Sequence, residues 1–218
     1  MKPISQRTRS TRQARRVTTR AIRKSETRDR ILKSAVRITR HEGLRAASVP
    51  RVMHGVGLTI GGFYAHFGSK AALDVEILRA TLGAAQSRWL GGLEESTGLD
   101  WVQRAVRRYL SVVHRDHPEG CAFPAVISEI ANAPAEVRQT FVDAFEQHVR
   151  AFDAHVPPVS GITSRDRALA TLALAIGGLL LARATAGHPV SEELLAACRK
   201  WALPELDIPE PDKRSTVR

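Results

Sequence analysis

Residues 58–70 read LTIGGFYAHFGSK, and the fold turns on this stretch. Two adjacent glycines follow Thr59, and Phe63, Tyr64, His66 and Phe67 then fall within five positions. The chain of 218 residues holds 6 Phe, 2 Tyr and 3 Trp, so this local concentration needs a reason. Thr59 can cap a helix of about two turns, leaving its first backbone N–H groups pointing outward, where they suit a phosphate. Gly61 and Gly62 each cost about 1 kcal/mol in helix propensity. Close approach to a duplex would offset that cost, and so would tight packing against the preceding helix. Tyr64 and His66 pair a ring with a polar atom that can reach a phosphate oxygen. Phe63 and Phe67 suit a core. Lys70 opens the next helix, where the dipole disfavours a cation, unless a phosphate lies in front of it.

Upstream, Ile31, Leu32, Ala35, Ile38 and Thr39 recur at helical spacing, with Arg and Lys on the other faces. Ser25 or Thr27 can cap the start of this first helix, and Gly43 can end it in a left-handed conformation. Ser48 then caps a short second helix, in which Pro50 is tolerated in the first turn. Gly55 and Gly57 break that helix, and Gly68 ends the one capped by Thr59. Three short helices, the last two joined by a glycine-containing turn, are the layout of a helix-turn-helix unit.

The charge is concentrated at the front. The net charge is +11; residues 1–24 carry +9 with no acid, residues 25–70 carry +5, and residues 71–218 carry −3. A polyanion-binding front on a mildly acidic body follows. Residues 1–24 have little apolar periodicity and are expected to form a disordered basic arm, either a solubilising tail or an arm along DNA. They lack the apolar region of a secretory signal. Cys121 and Cys198 make no disulfide framework, and a cytoplasmic setting is expected.

After Ser69 helices are expected near 70–94, 100–117, 123–132, 134–155, 163–187 and 191–203, with breaks at glycines and prolines. No segment alternates as a strand does, so the fold class is all-α. The apolar run Ala168–Ala182 falls short of the ~18–20 residues of a bilayer span, and a buried helix is expected. Because the run is apolar on nearly every face, a second copy of the chain can cover what this chain does not. Leu174, Gly177, Gly178 and Leu181, with Leu194 and Trp201 of the last helix, are the candidate dimer interface, the glycine pair permitting close approach. An internal helix of a monomer is the other reading. Residues 204–218 form a loose tail.

No nucleophile elbow, P-loop or dinucleotide fingerprint is present, so neither an enzyme nor a cofactor is expected. His114, His117 and Cys121 have a spacing that can suit zinc, but Pro118 and Gly120 interrupt the helix, and no metal is expected.

Residues 27–73, TRDRILKSAVRITRHEGLRAASVPRVMHGVGLTIGGFYAHFGSKAAL, resemble the N-terminal domain of TetR-type transcriptional regulators. The likeness is strongest over GLTIGGFYAHFGSKAAL, and the helical remainder resembles the family's C-terminal body. The resemblance implies a homodimer that presents Thr59–Tyr64 to each half of a palindromic operator and is released by a small molecule, most simply a repressor. By position, Ser48, Arg51, Thr59, Tyr64, His66 and Lys70 would touch the DNA backbone, and Ile60, Gly61 and Gly62 would face base edges. Ile60 stands where such regulators often carry a polar or basic residue; it can meet a thymine methyl but cannot hydrogen-bond to guanine. The implied domains are a helix-turn-helix unit over 25–68 and a helical ligand-binding and dimerisation unit over 69–203. The resemblance also implies a ligand cavity lined by Trp101, Tyr109, Cys121, Phe123, Phe141 and Phe145. An ordinary aromatic core is the alternative there, and Cys121 reads either as a redox or electrophile sensor or as a small buried thiol. The rival to the whole reading is a non-specific nucleic-acid-binding protein driven by the arm.

Overall fold

The computed structural model describes residues 4–118 and 120–202, with side chains from residue 21 onward except Ala122. The described residues form nine α-helices and one 3₁₀ helix, with no strand beyond a single bridge between Val159 and Ile162. They are α1 (Ile4–Glu42), α2 (Val49–Gly55), the 3₁₀ helix Ile60–Ala65, α3 (Lys70–Leu90), α4 (Gly98–Tyr109), α5 (Val112–Arg115), α6 (Ala122–Ile130), α7 (Ala135–Asp153), α8 (Ser164–Ala184) and α9 (Pro189–Ala202). The all-α expectation holds. The tail expected at 204–218 lies outside the described residues.

Among the differences from the expected boundaries, two have a clear physical reason. The first helix does not begin at Ser25, because α1 runs unbroken from Ile4. No Gly or Pro interrupts residues 4–42, and the arginines there are good helix formers. The helix expected over 100–117 is instead broken at Leu110–Ser111 into α4 and α5. The carbonyls freed at the break are taken up by side chains. Ser111 Oγ donates to the Arg108 carbonyl at 2.9 Å, His114 Nδ1 donates to the Tyr109 carbonyl at 2.8 Å, and Arg199 Nη1 donates to the Leu110 carbonyl at 2.6 Å. Ser111 Oγ also accepts from the His114 N–H at 3.1 Å, capping α5.

Ile31, Ala35 and Ile38 of α1 meet Val52 and Met53 of α2 and Phe63 and Phe67 beyond it in one buried cluster. Phe63 and Phe67 stack at 5.5 Å, and the Arg28 guanidinium lies over Phe67 while pairing with Glu76 of α3. Arg30 Nη2 donates to the Val56 carbonyl at 2.8 Å, tying α1 to the turn before the 3₁₀ helix. The body is a bundle in which α8 packs on α7 and α9, and α3 packs on α7 and α1. A Thr163–Asp166 capping box starts α8. At 21 residues, α8 is long and apolar enough to cross a membrane, more than the apolar run alone suggested; 50% of its most apolar window is buried in the protein, as in a core helix.

α6 joins the two halves. Gly43, at φ +93°, ends α1 against it, and the following loop is held where Glu129 Oε2 accepts from the Arg45 N–H at 2.6 Å. The positive φ of Gly43 favours glycine, and a Cβ there would also stand 2.2 Å from Glu129 Oε1, so the glutamate side chain would have to shift.

Candidate nucleic-acid interface

The turn through Gly57, at φ +70°, delivers the chain to Thr59, which precedes a 3₁₀ helix of 6 residues rather than the two α-turns expected. Side chains turn inward at Phe63 and Phe67 and outward between and before them. Phe63 is fully buried, whereas Ile60 is 52% and Tyr64 67% exposed, with Tyr64 edge-on to Phe63 at 5.2 Å. Gly61 is exposed, and a Cβ added to it would meet nothing within 4 Å. One on Gly62 would make only ordinary contact with Met53 Cε at 3.7 Å. Neither glycine has a positive φ. Packing against the first helix therefore does not account for the pair.

Neither Ser48 nor Thr59 makes a side-chain capping bond, so both hydroxyls sit at helix starts without that duty. Arg51 is not an unpartnered cation as its expected backbone contact would suggest. Its guanidinium grips Glu42, at the end of α1, through bonds of 2.7 and 2.5 Å. Hydrogen bonding to Arg51 holds the Glu42 carboxyl below its usual range. The pair lies in an open cleft of about 400 Å³ that also holds Arg37, His41 and His54. Lys70 likewise pairs with Asp74, one turn along its own helix, whose carboxyl is nonetheless pushed up by burial. Ser69 caps α3 by accepting from the Ala72 N–H at 3.0 Å. His66 is half-buried, with Nδ1 enclosed and without a hydrogen-bond partner. Glu42 was invisible as a partner, because pairing 9 residues apart across a loop leaves no local signal. Asp74 had a signal, its spacing of four from Lys70, which sequence reasoning passed over.

In the body, Trp101, Tyr109, Cys121 and Phe123 are buried, with Phe141 and Phe145 half-buried at the edge. Tyr109 Oη lies 3.3 Å from Cys121 Sγ. Burial pushes the Cys121 thiol up and the Tyr109 phenol far up, so the thiol is protonated near neutrality. The centre of the cluster is Trp89, whose ring lies 3.9 Å from Tyr109, 6.5 Å from Phe123, and 5.5 Å from both His148 and Phe152. Sequence reasoning missed Trp89 and His148; their helical spacing was readable, but their helices' relative placement was not. Among the described residues no group of three or more His, Cys, Asp or Glu could hold a metal.

The candidate dimer residues separate by face. Gly177 has open space where its Cβ would be, Leu181 is 54% and Trp201 72% exposed, and Leu174 and Leu194 are half-buried. Gly178 points the other way: its Cβ would stand 2.5 Å from Cys198 Sγ, inside the chain's own α8–α9 contact. It is therefore an internal packing residue rather than part of an exposed surface.

Residues 31–77 match the sequence profile of the bacterial regulatory proteins of the tetR family. No curated protein matches the chain. Solved structures match over most of its length. Reduced Escherichia coli NemR shares 18% identity at a TM-score of 0.69, over 84% of this chain and 98% of that one. A TetR-family transcriptional regulator from Agrobacterium tumefaciens shares 20% at 0.68, over 84% and 98%. A protein from Saccharomonospora viridis, assigned as a transcriptional regulator and solved in complex with choline, shares 19% at 0.66, over 86% and 100%. At these identities the structural likeness speaks for the fold, and the matched profile for the domain over residues 31–77. Residues 31–77 thus match the N-terminal domain of the tetR-family regulatory proteins, and the chain has the all-helical fold of the TetR-family regulator it resembles.

Proposed function

We propose that the protein is a DNA-binding regulator of the TetR type, a cytoplasmic homodimeric repressor. It sets one 3₁₀ helix against each half of a palindromic operator and lets go when a small molecule enters the aromatic cluster of the body. The observation that carries the reading is Gly61. Its bareness serves neither backbone conformation nor internal packing, which leaves approach by something outside the chain. In that reading residues 1–24 are a basic arm, 25–68 the reading head, 69–203 the ligand-binding and dimerisation unit, and 204–218 a tail. Ser48, Thr59, Tyr64 and His66 meet phosphates. Arg51 and Lys70 are held by Glu42 and Asp74 until phosphates replace those carboxylates, and Ile60 meets base edges. The apolar strip of Leu174, Gly177, Leu181, Leu194 and Trp201 is covered by the second copy. A ligand acts by binding better to the arrangement that cannot span two half-sites. The choline complex of the Saccharomonospora viridis protein supports a ligand-binding body.

Selection of bound sites from a random duplex pool tests the DNA half. Two-fold-symmetric sites are expected; enrichment without symmetry would refute it. Trp201→Glu should shift sedimentation towards the monomer and weaken operator binding with it, and a variant that stays dimeric would remove Trp201 from the interface. The +9 charge of residues 1–24 favours a second reading, in which the arm alone binds nucleic acid without sequence preference. Deleting residues 1–24 should flatten the salt dependence by about 0.9 log units for each phosphate the arm had neutralised, while keeping the preferred site. Loss of all preference would favour the second reading.

A further inference from the structure

His148 lies on α7, 1% exposed, with its ring 5.0 Å from Phe123 and 5.5 Å from Trp89. Its Nδ1 is 2.9 Å from the Ala144 carbonyl oxygen. A carbonyl only accepts, so the proton sits on Nδ1. Burial lowers the imidazole's pKa, with no ionised side chain contributing, so the ring is neutral near pH 7 and Nε2 presents a bare lone pair. That Nε2 is enclosed and has no hydrogen-bond partner. A buried acceptor without a donor is destabilising, and a leucine at this position would avoid that penalty. The surrounding rings of Trp89, Phe123 and Phe152 offer flat faces and no counter-charge. At the edge of the cluster, Phe141 and Phe145 stack in parallel at 6.3 Å, both edge-on to Phe123 and both only half-buried.

We propose that Nε2 of His148 accepts a hydrogen bond from the hydroxyl or ring N–H of a neutral, flat, mainly apolar ligand that enters past Phe141 and Phe145 and stacks among Trp89, Phe123 and Phe152. The inference rests on reading the body as a ligand-binding unit and names the chemistry it takes. A ligand donor satisfies the orphaned acceptor, whereas an ether or a carboxylate brings a second acceptor against it. An ion of either sign would be desolvated here without a counter-charge.

The test uses the full-length protein and two probes of one shape, 2-naphthol and 2-methoxynaphthalene, which differ in whether the oxygen carries a proton. Calorimetric titration should show 2-naphthol bound about tenfold more tightly, the worth of one hydrogen bond in a dry site. In protein labelled with ¹⁵N-histidine, 2-naphthol should also move the Nε2 resonance of His148 from the bare to the hydrogen-bonded range. In His148→Leu the two probes should bind equally. His148→Gln, which keeps an acceptor at that reach, should retain the preference and guards against a folding defect in the leucine variant. Equal binding to the wild type, a preference that survives in His148→Leu, or no binding of 2-naphthol at about 1 mM overturns the proposal. Operator affinity measured on the same samples separates the two claims. A His148-dependent preference with unchanged DNA binding upholds the ligand chemistry and refutes the release mechanism.

Discussion

Gly61 and Gly177 share a property: the Cβ that each lacks would touch nothing. Gly178, one residue further on, would drive its Cβ into Cys198. The contrast sets apart three alanine substitutions. Gly61→Ala should fold at least as stably as the wild type, gaining up to about 1 kcal/mol from helix propensity, yet lose operator affinity by about tenfold or more through steric exclusion. Chemical denaturation beside operator titration checks this, and equal affinity would return the glycine to a purely local role. Gly177→Ala should leave the monomer fold unharmed. Gly178→Ala should cost about 1–3 kcal/mol by overpacking, measured by denaturation at fixed protein concentration. The sequence made the two glycine pairs conspicuous but could not say which member faces out, because a shift of one residue turns a helix by about 100°. Facing depends on which neighbour arrives from elsewhere in the chain. A similar limit hid Glu42 as the partner of Arg51.

At the scale of elements, spacing and caps made most of the fold legible. Apolar recurrence located α1, α7 and α8, and Gly and Pro marked most ends. The missed break between α4 and α5 shows what such signals omit, because neither residue at the junction is a helix breaker. Leu110 and Ser111 leave the helix because three side chains, one of them from α9 near the far end of the chain, accommodate the freed carbonyls. Ser111→Ala removes both the cap on α5 and a bond to the Arg108 carbonyl. It should cost about 1 kcal/mol, read as a lower denaturation midpoint at unchanged slope. The 3₁₀ helix was placed correctly but expected to be longer. Two glycines weaken an α-helical nucleus, and the burial of Phe63 and Phe67 pins the chain on either side of the exposed Tyr64.

At the scale of the whole molecule, stability is linked to pH through buried imidazoles. Burial lowers the pKa of both His114 and His148 from the ordinary 6.5. Below that value the unfolded chain takes up protons that the folded chain refuses, so stability falls as pH drops through about 6.5 towards the lowered folded values. Above about pH 7 both states hold these rings neutral, and the dependence on them vanishes. Thermal melts between about pH 8 and pH 5 should show this loss, and His148→Leu should make it shallower. A slope in that interval unchanged by the substitution would assign the loss to other groups.

α6 has a mechanical consequence for the assembly as a whole. It is a rod of nine residues, about 13 Å long at 1.5 Å per residue. Next to one tip, Cys121 touches Tyr109 and Phe123 enters the cluster of rings; near the other, Glu129 grips the strap between α1 and α2. Gly43 lies directly beside that grip, where an added Cβ would meet Glu129 Oε1. An axial slide of the rod, driven from the ring end, must therefore either tear the Arg45–Glu129 bond or drag the strap and the helix beyond it along.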